Sequence, residues 1–384
     1  MMIFLGNLVA STLLFLLISE PIAAWSSLLP RSDAPKFRWS KSSICRQHVV
    51  LRAEVASRDS LAGVTEFEEW FSQVPGSDIN PSISHEVFGS LRGLAIKTAA
   101  KGSVMSVPRS VVLQSDMNNS DWDAQLAKKL WKECKASASS PLYGYCALLT
   151  NTWVTKNSVD VPPSCAPNAL RHWNDDQKHL LTTKPAGQRL LELCQKQESQ
   201  WRRKFDEVEG MSWEQFEWAM EVVHSRAFSG EFGIGASFVS PIISTITPAI
   251  AAVTGAIYYF QFHGQDDLVL LVLAAIAAVP TLFNALSQSP QVAVLLPFID
   301  SANHKEDADS KIDYSPLSDA FTLSIGPQCL TDEGDGKKQL YISYGVKRDP
   351  ELLLNYGFLE GVRLTGDDVD MDRQTLAEAF LARN

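Results

Sequence analysis

The sequence lacks the constellations on which metal and nucleophilic chemistry depend. None of the six cysteines (Cys45, Cys134, Cys146, Cys165, Cys194 and Cys329) forms a CxxC pair, and the seven histidines include no HExxH motif. No four-ligand zinc site is therefore expected, and no metal ligands are assigned. Basic charge is also in deficit, with 34 Lys and Arg against 44 Asp and Glu and a formal net charge of -10. Such a chain has no broad electrostatic footprint for DNA or RNA, so no nucleic-acid partner is expected. Charge is missing altogether from two stretches. No Asp, Glu, Lys or Arg occurs between Glu231 and Asp266, or between Asp267 and Asp300.

Those two stretches contain apolar runs at 238–260 and 268–286, parted by the polar turn His263–Asp267. Each run is long enough to cross a bilayer, which takes about 20 residues. The reading is an inserted apolar, transmembrane helical hairpin over 231–292 that tethers the protein to a membrane. A buried helix pair is the other reading. At the amino terminus, Leu8–Ser19 has the length of a signal-peptide core, and Ala23 and Ala24 supply small residues for cleavage. Residues 25–63 are basic and serine-rich, with Arg31, Lys36, Arg38, Lys41, Arg46, Arg52 and Arg58. A signal peptide at 1–24 followed by a transit-like or linker segment at 25–63 reads as a two-part presequence. The expected destination is a plastid membrane, with the endomembrane or secretory pathway as the alternative.

The remainder mixes helical and strand patterns. Phe67, Trp70 and Phe71 give one face of an opening helix, and Gly93–Leu113 reads as short strands around a Lys101-Gly102 turn. Trp122, Leu126, Leu130, Trp131 and Cys134 fall at helical spacing, as do Leu190, Cys194, Trp201 and Phe205. The clearest helix runs from Trp213 to Phe228, opened by a Ser212/Gln215 capping box and striped by Trp213, Phe216, Met220 and Val223. Phe321–Ile325 and Leu340–Tyr344 read as strands, and Glu351–Tyr356 as a short helix.

Four pieces occur in order along this pattern. They are Arg92-Gly93-Leu94 with Lys101-Gly102 and Val107-Pro108; Ser225-Arg226-Ala227-Phe228; Leu296-Pro297 with Asp300-Ser301-Ala302-Asn303-His304; and Tyr344-Gly345 with Glu351-Leu352-Leu353-Leu354-Asn355-Tyr356-Gly357-Phe358. Together they resemble the SET-domain protein methyltransferases, in the branch of the Rubisco large-subunit lysine methyltransferases. The resemblance covers about residues 67–358. It implies an α+β fold: a SET domain of small twisted β-sheets with a pseudoknot-like segment, carrying a helical insertion. The expected boundaries are 64–115 and 293–358 for the two parts of the SET domain, 116–230 for the helical insertion and 359–384 for a tail. The family's helical carboxy-terminal domain is largely missing, and Lys347-Arg348-Asp349-Pro350 stands where family members commonly have Asn.

The resemblance also implies an activity: transfer of a methyl group from S-adenosyl-L-methionine to a protein substrate, with lysine as acceptor. Tyr356 would be the catalytic tyrosine. Arg92, Gly93, Leu94, Arg226, Asp300, Asn303 and His304 would bind the cofactor, with Arg226 meeting its carboxylate. The chemistry needs neither metal nor covalent intermediate. It needs a neutral amine in line with the S–CH3 bond, and an amine of pKa about 10.4 must be desolvated to be neutral near pH 7. A catalytically inactive SET-like membrane-bound interaction protein is the alternative. Histidine as acceptor stays open.

Overall fold

The computed structural model describes residues 63–88, 91–97, 100–151, 160–232, 291–315, 317–332, 338–362 and 369–384. Residues 1–62, all but the last of the presequence expected at 1–63, and residues 233–290 lie outside them. Helix α1 (Val64–Gln73) buries Val64, Phe67, Trp70 and Phe71 on one face. Strands β1 (Asp78–Ile79), β2 (Ile83–Phe88), β3 (Leu91–Ile96), β4 (Gly102–Pro108) and β5 (Leu113–Asp116) follow. The helical middle comprises α2 (Trp122–Ala136), α3 (Tyr143–Thr150), α4 (Asp175–Leu181), α5 (Pro185–Phe205) and α6 (Trp213–Arg226). Then come β6 (Phe228–Gly230), β7 (Val292–Leu295), β8 (Asn303–His304), β9 (Ser310–Ser315), β10 (Ala320–Ile325), β11 (Leu330–Asp332), β12 (Lys338–Ile342), α7 (Asp349–Asn355) and α8 (Val369–Arg383).

The strands form three small sheets, ordered β1-β4-β10-β9, β11-β12-β3-β2 and β5-β7-β6. Every pairing within these orders is antiparallel. The exception is β8, which joins β12 in parallel with Tyr341 opposite Asn303 and Ile342 opposite His304. Each sheet pairs strands far apart in sequence. In the third sheet, Leu113 lies opposite Leu295 and Phe228 opposite Val294. The main core joins α1, α2, α3 and α6 to the inner faces of the sheets, with Phe67, Leu126, Phe216, Val294 and Phe321 fully buried. A second core gathers Leu170, Trp173, Leu181 and Leu190 with Leu353, Leu359, Leu376 and Phe380. The segment read as a tail thus supplies α8, whose Leu376, Ala377 and Phe380 are buried there.

The inserted transmembrane hairpin expected over 231–292 is corrected, and with it the membrane tether. Among the described residues no helix is long and apolar enough to cross a membrane. The longest, α5, has 21 residues but carries Arg189, Glu192, Lys196, Glu198, Arg202, Arg203 and Lys204. At the carboxy-terminal end of the expected hairpin, Val292 is already the first residue of β7. The physical reason is that a charge-free run does not tell bilayer from protein interior. Val292–Leu295 is as free of charge as the rest and is buried at all four positions, as the middle strand of its sheet. The strands flanking the segment, β6 and β7, are direct neighbours, so the chain leaves this sheet at Gly230 and re-enters it opposite, at Val292.

Candidate active site

Two ends of regular structure meet at the site. Helix α6 opens with the Ser212/Gln215 capping box, both halves of which are present, and closes at Arg226. Strand β7 runs into Leu296-Pro297 and then Phe298, which adopts φ 76°. A positive φ is an outlier for a bulky residue and costs about 1–3 kcal/mol. Phe298 is held there by burial, its ring 5.6 Å from Phe67, 5.4 Å from Phe71 and 4.7 Å from His85. The turn Ile299–Ser301 follows and directs Asp300 inward, where it is buried.

Asp300 and Arg226 form a buried pair. Arg226 Nη1 lies 3.3 Å from Asp300 Oδ2 and donates to the Asp300 carbonyl at 3.2 Å. The Tyr145 hydroxyl donates to Asp300 Oδ2 at 2.5 Å. Burial opposes the Arg226 charge, but Asp300 together with Cys165, Tyr145 and Tyr344 outweighs it and holds the guanidinium pKa above its ordinary value. Burial, then the Asp300 charge, push the Tyr145 phenol well up. Arg226 Nε and Asp300 Oδ1 are buried with no hydrogen-bond partner among the described residues.

Two cavities open on either side of this pair. The first, about 440 Å³, is bordered by Arg92, the 163–168 loop, Asn303 and Gly357-Phe358. The second, about 470 Å³, is bordered by 227–232, Ile312–Tyr314 and Ser343. Ser225, Arg226, Asp300, Tyr344 and Tyr356 line both. An aromatic row backs the shared wall, with His304 stacked 4.9 Å from Tyr344, Tyr344 5.2 Å from Tyr356 and Tyr356 5.9 Å from Phe358. The Tyr344 hydroxyl donates to the Ala302 carbonyl at 2.8 Å. Burial raises the pKa of both Tyr344 and Tyr356, so both remain phenols at neutral pH.

Of the residues singled out from the sequence, Arg92, Arg226, Asp300, Asn303 and Tyr356 line the first cavity. Gly93, Leu94 and His304 stand behind it. A Cβ on Gly93 would come within 2.6 Å of Asn303 Nδ2 and 2.9 Å of Gln339 Nε2, so the space glycine leaves is filled by two side-chain amides. Asn303 Nδ2 in turn donates to the Arg92 carbonyl at 3.3 Å. Leu94 is fully buried in the main core. His304 accepts the Tyr344 backbone N–H on Nδ1 at 3.1 Å. Burial lowers the His304 pKa against the opposing pull of Glu360, whose Oε2 is 3.9 Å from Nε2. Asp349, in the departure from the family pattern, starts α7 and pairs with Arg383 at 3.1 Å.

Sequence reasoning missed three contributors. Tyr145 carried no motif, only a place in a short helix. Tyr344 was noted as half of a Tyr-Gly pair without a role. Glu221 drew no role from the sequence, yet it is buried. Its carboxylate accepts from the Ala166 N–H at 2.9 Å, from the Ser164 hydroxyl and from His172 Nε2 at 2.5 Å. It thereby fastens the 163–168 loop that walls the first cavity. Burial works against the Glu221 charge, but these hydrogen bonds and the His172 contact prevail and lower its pKa. A glutamate three positions after the core residue Trp218 is the one signal that could have pointed to it.

No protein-family model matches the chain, and no curated protein matches it. Among solved structures it is similar to the SET domain of LSMT bound to lysine and AdoHcy, with 14% identity and a TM-score of 0.47. That alignment covers 78% of this chain and 57% of the other, so the chain spans a little over half of that neighbour's length.

Proposed function

We propose that the chain is an S-adenosylmethionine-dependent protein methyltransferase that transfers a methyl group to a lysine side chain. Two observations support the reading: the ordered motifs that resemble SET domains, and the two cavities that share one aromatic and ionic wall. The second carries it. A donor in one cavity and an acceptor in the other would react across Tyr344 and Tyr356. The first cavity fits the donor. It presents a half-buried cation, Arg92, for an anionic group, the Asn303 amide and the face of Phe358.

When bound, S-adenosylmethionine supplies a methyl group activated by the adjacent sulfonium. The chain's own residues would align and desolvate the acceptor. Tyr344 and Tyr356, kept as phenols, cannot serve as bases near pH 7. Their oxygens can accept weak C–H hydrogen bonds from a methyl group and a hydrogen bond from an amine. The low-dielectric wall favours the neutral amine over the ammonium, and alignment supplies much of the remaining acceleration. The amine nitrogen forms the new N–CH3 bond as the S–CH3 bond breaks, and the proton leaves to solvent. Residues 64–230 with 293–358 would form the catalytic unit, and residues 1–60 would direct it to a plastid.

Calorimetry with S-adenosylmethionine is the first test, with micromolar binding, about -8 kcal/mol, expected. Asn303→Ala should weaken it at least about tenfold, the value of one polar contact. Tyr356→Phe should cut methyl transfer from labelled donor well below wild type while donor affinity stays within a few-fold. No binding by the wild type rejects the function. Full activity in Tyr356→Phe rejects the role of that hydroxyl.

A further inference from the structure

The loop 163–168 on the first cavity is fastened at several points. Glu221 accepts from the Ser164 hydroxyl and the Ala166 N–H. The Pro167 carbonyl accepts from Arg373 Nη2 at 2.7 Å, and the Asn168 carbonyl from Trp173 Nε1 at 2.8 Å. The backbone at Asn168 packs against Gly357, the neighbour of Phe358. The Asn168 side chain is not used in this way. Three carboxamides line the cavity, Asn151, Asn168 and Asn303. Among the described residues, Asn168 is the one of these three with a buried side-chain atom, Oδ1, that has no hydrogen-bond partner. Asn303 is committed to the Arg92 carbonyl. A buried acceptor left unpaired is costly, and a donor in the cavity would relieve that cost. The terminal torsion of asparagine is soft, so Oδ1 can turn to such a donor while the fastened backbone stays in place.

The other unpartnered buried atoms on this cavity are Arg226 Nε, Asp300 Oδ1 and Ser301 Oγ, and they belong to the ionic wall. Charged ligand groups suit that wall. Asn168 stands instead beside Gly357-Phe358, where the polar group is neutral and its neighbour is an aromatic face. That combination is the chemistry that reads a nucleobase: a ring stacks on the base and a carboxamide meets the hydrogen-bonding groups on its edge. We propose that Asn168 Oδ1 accepts from the exocyclic 6-amino group of the donor's purine, so that this one residue selects a 6-aminopurine over a purine without that group. This rests on the methyl-donor reading above. A base that brings no donor leaves Oδ1 buried and unmatched, which is how a polar site rejects an analogue.

The test compares two probes by calorimetry: S-adenosylhomocysteine and the analogue in which its 6-amino group is replaced by hydrogen. Wild type should prefer the first by about tenfold, the range of one hydrogen bond whose buried partner is otherwise left unpaired. Asn168→Ala should reduce that preference to within about threefold by weakening only S-adenosylhomocysteine. Asn168→Asp keeps an accepting oxygen and should keep the preference, and its loss there overturns the proposal. Melting curves check that the variants fold, and Asn168→Leu, close in size and without an acceptor, carries the comparison if the alanine variant does not. A wild type that binds both probes equally overturns the proposal and leaves the methyl-donor reading standing. So does an undiminished preference in the folded alanine or leucine variant, or an equal loss for both probes, the mark of a side chain that only braces the loop. A wild type that binds neither probe overturns the reading and the proposal together.

Discussion

Asp300 and Glu221 are both buried carboxylates beside the first cavity, and they are held by opposite means. Asp300 faces a guanidinium that is charged at every accessible pH, with one phenol as brace. Glu221 gathers a hydroxyl, a backbone N–H and an imidazole, and so ties a loop to a helix. The first is a charge balanced by a charge, and removing either half strands the other. The second is an anion shared among an imidazole, a hydroxyl and a backbone N–H, and a neutral acceptor can keep the last two. One fixes the wall that both cavities share, and the other fixes the far side of one cavity.

That contrast can be broken most severely at Asp300. Asp300→Ala leaves Arg226 buried without its partner and should cost about 3–5 kcal/mol in urea unfolding. Glu221→Gln keeps an acceptor for the Ser164 hydroxyl and the Ala166 N–H and should cost about 1–3 kcal/mol. A larger loss at Glu221 than at Asp300 would invert the comparison.

The loop that Glu221 secures is also pressed from the other side. Gly357 has φ 74°, and a Cβ there would sit 2.4 Å from the backbone of Asn168 and Ala169. Gly357→Ala should destabilise by about 1–3 kcal/mol through overpacking. It should also lower ligand affinity at the first cavity, because that loop must shift. An unchanged melting temperature would show that the loop is slack and that Glu221 holds little.

The smallest effect expected is one of pH. The folded pKa of Glu221 lies below its ordinary value of 4.5. Its contribution is therefore complete above that value and is lost as the pH falls through the lowered folded pKa. Unfolding free energy measured across the acid range should fall less steeply in Glu221→Gln than in wild type. Equal slopes would remove Glu221 from the acid response.

Much of the fold was legible because burial patterns are local. The apolar faces of α1 and α2 and the capping box of α6 follow from spacings of three and four residues along single helices. The site was legible in part. Arg92, Arg226, Asp300, Asn303 and Tyr356 came from ordered motifs and line one cavity. Gly93 and His304 came from the same motifs, but their places are set by packing: one makes room for the Asn303 amide, the other stacks behind Tyr344. The reading failed most clearly at 231–292, where absence of charge was taken for a bilayer.

By itself the sequence determined several of the helices and strands, α1, α2 and α6 among them, and it marked the residues that pack or cap them, since these depend on neighbours a few positions away. Only the tertiary structure decided which charges would face one another. Arg226 meets Asp300 across 74 positions, and Tyr145 reaches the same carboxylate across 155. Electrostatic pairing depends on distance and burial in space, so no spacing along the chain could have shown that Arg226 and Tyr145 converge on one carboxylate.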